Sequence, residues 1–193
     1  MKSKKIKLLL RSWKCVIPDI LYCLSKKDTK ILISEDVEHY MKWHSEWVSP
    51  NFFICFNTLL IYEKPFRSVF FYRMGKGFMA KITAFFLPPP QAVEIGGSID
   101  GGLMVSHNFS VVSPKTAGKN LRIGPGVVIG RNGEYYPVIG DNVYIASNAT
   151  VIGHVHIGNN VIIGAGAVVT ADVPDNCVYV GNPAHLLKKN ETG

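Results

Sequence analysis

The stretch VIGDNVYIASNATVIGHVHIGNNVIIGAGAVVTADV, Val138 to Val173, decides the fold. Aliphatic residues recur in it at Ile139, Ile145, Val151, Ile157, Ile163 and Val169, a constant step of six. A second set, from Val143 and Ala149 to Ala167 and Val173, lies four residues after each of these. A period of six fits neither an α-helix, at about 3.6 residues per turn, nor one continuous strand, at about 2. It fits a short strand plus a turn, repeated, with one aliphatic pointing inward per side of a coil. Stacked coils pair their backbones with the coils above and below and pile the aliphatics into one core. That is a solenoid of the hexapeptide parallel β-helix type.

Toward the N-terminus the same phase runs from Val93 through Ile99, Val105, Val111, Ala117, Ile123 and Ile129. One ten-residue step, Ile129 to Ile139, breaks it and predicts an outward loop over Arg131–Pro137. Val93 to Val173 spans about thirteen hexads, or a little over four triangular coils. Glycine follows the inward aliphatic at Gly118, Gly124, Gly130, Gly140, Gly158 and Gly164. Small residues there let the chain turn, several at positive φ, where Gly and Asn are tolerated.

Ahead of this repeat the composition changes abruptly. Residues 1–90 carry 15 Lys+Arg against 7 Asp+Glu and two glycines; residues 91–193 carry 6 against 7 and sixteen glycines. The whole formal excess of +7 therefore belongs to the first half. The break falls at Leu87-Pro88-Pro89-Pro90, where proline forbids helix continuation. The division expected is 1–90, an α-helical N-terminal domain; 91–175, the β-helix; and 176–193, a tail closing it. Within the first half, Val37, Tyr40, Met41, His44 and Trp47 make a helical stripe over Glu35–Trp47, with Ser34 as its cap. Pro65 opens a second helical candidate to Leu87, with Phe66, Val69, Phe70 and Arg73 in its first turns and Gly75 and Gly77 in its middle. The bland role for these aromatics is a small core docked on the repeat.

Composition also excludes classes. With 47% hydrophobic and 18% charged residues the chain is neither disordered nor of low complexity. The uncharged run Val48–Tyr62 contains Ser49, Pro50 and Asn51 and falls short of the ~20 apolar residues of a spanning helix. Met1–Leu10 begins like a signal peptide, but Arg11 and Lys14 interrupt it, so a cytoplasmic protein is expected. Lys2, Lys4, Lys5, Lys7 and Arg11 around Leu8–Leu10 suggest contact with an anionic surface, such as the inner face of the membrane. No nucleic-acid motif accompanies the charge. Cys15, Cys23, Cys55 and Cys177 have neither disulfide-framework nor zinc spacing and read as buried thiols. His154 and His156 alternate, with Asp172 one coil beyond His154, but too few ligands converge for a metal site.

From IDGGLMVSHNFSVVSPKTAGKNLRIGPGVVIG through PVIGDNVYIASNATVIGHVHIGNNVIIGAGAVVTADVPDNCVYVGNPAHLLKK, the repeat resembles the hexapeptide acyltransferases, and within them the serine acetyltransferase branch. It looks closer still to relatives from capsule and O-antigen gene clusters. The resemblance covers roughly 93–189; the first half matches loosely, chiefly in PFRSVFFYR. It implies a left-handed parallel β-helix, a homotrimer, acetyl-CoA as donor, a hydroxyl as acceptor, and no metal. The alternatives are a non-catalytic scaffold, since a repeat alone specifies only a fold, and a module that binds polyanions or a membrane surface.

Acetyl transfer to an alcohol removes the alcohol's proton as it attacks, a task suited to imidazole, whose ordinary pKa is about 6.5. His107 in GGLMVSHNFS matches the segment where the family places its base. Serine acetyltransferases have an aspartate directly before that histidine, and here the position is Ser106. Glu94, aligned after a two-residue gap with another acceptor-pocket aspartate of the family, is a candidate orienter or acceptor contact; Asp100 is the other nearby acid. By the same resemblance the pantetheine arm would meet small corner residues, Ser147 and Ala165 with Gly130, while Lys188 or Lys189 would meet a phosphate. The family's loop ends in Asp-Arg-His-Pro, whose arginine and histidine help hold the amino acid; here it reads Glu134-Tyr135-Tyr136-Pro137. Arginine offers a cationic fork for a carboxylate and tyrosine offers none. Tyr135 and Tyr136 suit the C–H face of a pyranose, so a sugar hydroxyl in a surface-polysaccharide precursor is expected ahead of L-serine, the alternative acceptor.

Overall fold

The computed structural model describes residues 12–75, 77–90 and 92–189, without the side chain of Met79. The lysine-rich segment before Ser12 lies outside them. The six-residue repeat winds into triangular coils. The first holds β1 (Val93–Ile95), β2 (Ser98–Ile99) and β3 (Met104–Val105). The second holds β4 (Ser110–Val112), β5 (Thr116–Ala117) and β6 (Arg122–Ile123). The third holds β7 (Val128–Gly130), β8 (Val138–Ile139) and β9 (Tyr144–Ile145); the fourth holds β10 (Thr150–Ile152), β11 (His156–Ile157) and β12 (Ile162–Ile163). β13 (Val168–Val169) and β14 (Cys177–Val180) begin a fifth, and β15 (His185–Lys189) follows. Each of β1 to β10 pairs with the third strand on, and β12 pairs with β14, giving the sheets β1-β4-β7-β10-β13, β2-β5-β8-β11 and β3-β6-β9-β12-β14-β15. All ladders are parallel except β14 with β15, where the tail adds an antiparallel strand. This is a parallel β-helix.

Ile123, Ile129, Ile145, Val151 and Ile163 are wholly buried, as the period requires, and the second aliphatic set fills the corners. One position slips. Val111 faces out, and Ser110 and Val112 turn in instead, because the corner before β4 holds an extra residue with Phe109 at φ +66°. The turn glycines also work differently from expectation. Left-handed backbone lies three residues after the inward aliphatic, at Asn120, Gly126, Asn142, Asn148, Asn160 and Gly166. The glycine directly after it serves close approach instead: a Cβ on Gly124 would sit 2.8 Å from the Ser147 nitrogen of the next coil. At one corner the left-handed asparagines stack, the amides of Asn120, Asn142 and Asn160 donating in turn to the next asparagine's Oδ1 at 2.8–3.1 Å.

The first half is helical, with boundaries that differ from the sequence pattern. α1 (Val16–Leu24), α2 (Lys27–Trp43), α3 (Phe52–Tyr62), α4 (Lys64–Met74) and α5 (Phe78–Phe86) form it. Val37, Tyr40 and Met41 of the stripe expected over Glu35–Trp47 belong to α2, which begins eight residues earlier and ends at Trp43. Ser34 therefore lies inside the helix and caps nothing, His44 ends it, and Trp47 sits in a separate 3₁₀ turn. Gly75, at φ +73°, ends α4 and divides the second candidate into α4 and α5. Asn51 caps α3 by accepting from the Phe53 and Ile54 amides. Val37, Tyr40, Phe56, Leu59, Phe66 and Phe70 build a second core. Cys15, Cys55 and Cys177 are buried thiols; Cys23 is exposed, contrary to expectation.

The helices close the open edge of the first coil. A terminal coil lacks a neighbour on one side, so its N–H and C=O groups need other partners. Tyr40 Oη donates to the Val105 carbonyl at 2.8 Å and accepts from the Val105 amide at 3.0 Å. Tyr72 Oη does the same between Gly97 O and the Ile99 amide. His39 Nδ1 bonds the Gly102 carbonyl. Asp36, 1% exposed, accepts from the Leu103 amide at 2.7 Å and from Arg73 Nε and Nη2 at 2.8 and 3.0 Å. Arg73 also donates to the Ile99 and Asp100 carbonyls. Farther along, Arg122 lies between the Trp43 and Tyr144 rings at 3.8 and 3.7 Å, a cation–π bridge from α2 to β6 and β9.

Candidate active site

His107 stands exposed on the corner between β3 and β4, next to the edge that Tyr40 closes. The turn around it is pinned. Ser106, at the position of the family's aspartate, donates its hydroxyl to the Ile123 carbonyl at 2.9 Å, and Ser110 donates to Gly124 O at 3.2 Å. Phe109 holds a left-handed backbone and exposes most of its ring beside His107. For a residue other than glycine such a backbone costs on the order of 1–3 kcal/mol and clusters at functional sites.

Strand register extends the site along the coil axis. Val105 pairs with Ile123, Ile123 with Ile145, and Ile145 with Ile163. Two residues after each come His107, Pro125, Ser147 and Ala165, which share one corner. At a coil spacing of about 4.8 Å, Ser147 lies roughly 10 Å and Ala165 roughly 14 Å along the axis from His107. Their small side chains leave the corner open, and a Cβ on the neighbouring Gly166 would meet nothing within 4 Å. An extended thioester arm fits such a row. Lys188 is exposed on β15, beyond the last coil of the sheet that borders this corner.

Other expected site residues lie elsewhere. Glu94 is exposed in the middle of β1, opposite Val111, and among the described residues no hydrogen bond or ion pair joins it to His107. Gly130 ends β7 at the root of the inserted loop, one corner away from the His107 row. That loop is a tight hairpin in which Asn132 and Tyr135 exchange backbone hydrogen bonds. It carries Tyr135, exposed, and Tyr136, half-buried, on the Gly130 corner. Tyr135 leans on His154, ring centroids 5.2 Å apart. The His156 amide donates to Asp172 Oδ1 at 2.7 Å, a turn contact. Among the described residues no group of three His, Cys, Asp or Glu side chains could hold a metal.

The sequence pattern missed an acid. Glu63, between α3 and α4, carries a half-buried carboxylate 3.7 Å from His44 Nε2, and His44 stacks on Trp47. Burial pushes the Glu63 carboxyl up; His44 and then His107 pull it back, and Glu46 opposes them. The available signal was a lone acid ending the uncharged run Val48–Tyr62, just before a proline at the start of a helix. A separate concavity of about 330 Å³ lies between α2 and the asparagine corner, lined by His39, Lys42, Trp43, Asn120 and Asn142. It contains none of the expected site residues.

Residues 136–171 match the family described as bacterial transferase hexapeptide (six repeats). A serine acetyltransferase of Staphylococcus aureus strain Mu50 is 38% identical over 120 residues, covering 58% of this chain and 54% of its own. One from Synechococcus elongatus is 37% identical over 106 residues, covering 51% and 43%. The chain thus spans about half the length of the curated relatives it matches. Among solved structures, Neisseria gonorrhoeae serine acetyltransferase superposes with a TM-score of 0.70 at 25% identity, over 90% of this chain and 71% of that one. Soybean serine acetyltransferase complexed with serine superposes with a TM-score of 0.59 at 27% identity, over 84% and 70%. The coiled half of this chain is thus a parallel β-helix in which residues 136–171 match the bacterial transferase hexapeptide family, and the relatives named above are serine acetyltransferases.

Proposed function

We propose that this chain transfers an acetyl group from acetyl-CoA to a hydroxyl by direct attack, with His107 as general base. The observation that carries the reading is the shared corner of His107, Ser147 and Ala165, an open row leading to an exposed imidazole. Neutral His107 takes the hydroxyl proton as the oxygen attacks the thioester carbonyl. The C–S bond breaks as the ester forms, and the imidazolium returns the proton to the leaving thiolate, releasing CoA as the thiol. Ser147 and Ala165 would border the pantetheine arm, and Lys188 would meet a phosphate of the nucleotide end; Gly130, on another corner, falls outside this row. Glu63 takes the part of the absent neighbouring aspartate, steadying the imidazolium across the seam between the helices and the first coil. The chain works as a homotrimer, in which the loop of one copy reaches the His107 corner of the next.

For the acceptor, the named relatives favour L-serine, and Glu94 would serve as an acceptor contact. They carry more weight than the polysaccharide expectation, for which no named relative speaks. One observation keeps a sugar as the second reading: the exposed hairpin offers Tyr135 and Tyr136 where an arginine would grip a carboxylate. Thiol release from acetyl-CoA, screened with L-serine, nucleotide sugars and lipid-linked oligosaccharides, separates the two. L-serine turnover at kcat/KM of about 10⁴ M⁻¹s⁻¹ or more is expected for the serine reading. Turnover with sugars alone establishes the second, and release with none overturns acetyl transfer.

A further inference from the structure

The helical layer carries a surface that acetyl transfer leaves unused. Trp13, Val16, Ile20 and Leu24 follow one another at steps of three and four and form one stripe along α1 and the turn before it. All four face solvent, Trp13 at 58% and Leu24 at 79% exposure. The opposite side of the same helix is already engaged: Cys15 and Pro18 are buried, and Leu21 and Tyr22 pack on the helical core. A solvent-facing stripe that is apolar for the length of a helix reverses the usual pattern of a surface helix. Its neighbours enlarge it. Between α1 and α3 lies a shallow concavity of about 360 Å³, lined by Ile20, Cys23, Leu24 and Phe53, with Asp19 its one charged residue. Against Trp13 packs Phe86 of α5, a helix that exposes Phe78 and Phe85.

Charge identifies what covers this surface. In sequence, Lys14 stands within the stripe and Lys26, Lys27 and Lys30 follow it directly, against Asp19 and Asp28, and Asp19 is partly withdrawn by its hydrogen bond from Asn57. A second copy of the same face would bring like charges together. An anionic bilayer accepts both features at once, with apolar side chains at the acyl boundary and lysines among the headgroups. Among the described residues no helix is long and apolar enough to cross a membrane, so the helix would lie in the surface plane. We propose that α1 docks this protein on anionic lipid surfaces, with Trp13, Val16, Ile20 and Leu24 entering the headgroup–acyl boundary.

Sedimentation of the full chain with phosphatidylglycerol–phosphatidylcholine vesicles, against pure phosphatidylcholine vesicles, tests this. Binding to the anionic vesicles should be about tenfold or more the stronger and should weaken as salt rises. The double variant Val16→Asp/Leu24→Asp, at exposed positions, should lose about tenfold in partitioning. A second variant, Lys26→Glu/Lys27→Glu/Lys30→Glu, should weaken the preference for anionic lipid several-fold. Failure of the wild-type protein to sediment, or unchanged binding by the aspartate variant, overturns the proposal. So does light scattering in which the aspartate variant splits a larger wild-type assembly, because the face would then belong to a second copy. None of these readouts measures acetyl transfer, so this proposal and the catalytic reading fail independently.

Discussion

Replacing Asp36 by alanine removes three hydrogen bonds at the seam between the helices and the first coil. The Leu103 amide loses its acceptor at 2.7 Å, and Arg73 loses Asp36 contacts at 2.8 and 3.0 Å. Both side chains are 3% exposed or less, so water does not take over these roles. Burial pushes the Asp36 carboxyl up, and Arg73, then the Leu103 and Gly102 amides, pull it back; the pair depends on mutual contact. Breaking a buried ion pair by removing one member costs about 3–5 kcal/mol. For a chain of this length each kcal/mol moves Tm by about 2–4 °C, so Asp36→Ala should lower Tm by roughly 6–20 °C. Thermal unfolding followed by circular dichroism measures the fall. Hydrogen exchange should show the loss concentrated at Leu103 and Val105, with the distal coils protected. In a double-mutant cycle with Arg73→Ala the two effects should fall short of additivity by about 1–3 kcal/mol. A drop under about 2 °C, or additive effects, would refute the seam as the main anchor of the helices.

Gly124→Ala forces a Cβ to 2.8 Å from a backbone nitrogen and should cost about 1–3 kcal/mol in thermal melts, whereas Gly130→Ala, with nothing within 4 Å, should be nearly neutral. Burial pushes the His39 imidazole down, so the folded protein keeps it neutral while the unfolded chain takes a proton below about pH 6.5. Stability should therefore fall as pH drops from 7 to 5.5, and His39→Asn should flatten that slope; equal slopes would refute it. Glu63→Gln should lower kcat about tenfold while leaving KM for acetyl-CoA unchanged. Glu63→Asp should recover part of that loss, and a kcat that does not fall would leave Glu63 a purely structural residue.

The six-residue period made the coils legible because each inward aliphatic is dictated by its own short strand. It failed at Val111, where one extra residue in the corner after His107 shifts the side chains by one. It mislocated the left-handed positions, since spacing marks a turn without saying which residue in it turns. The α2 start was hidden because Lys26 caps by backbone alone, with no side-chain signal. The common corner of His107, Ser147 and Ala165 follows from the repeat length. Glu63 could not be read this way, because its place beside His44 depends on how the turn after α2 packs against the start of α4. The polar groups that cap β3, Asp36 and Tyr40, look from sequence like ordinary helix residues.

The most direct test of the account is thiol release from acetyl-CoA by His107→Ala, with the hydroxyl compound that the acceptor screen selects. In this variant kcat should fall by on the order of 10²–10⁴ while the affinity for acetyl-CoA stays near wild type. Turnover within tenfold of wild type would contradict it and move the base to another residue.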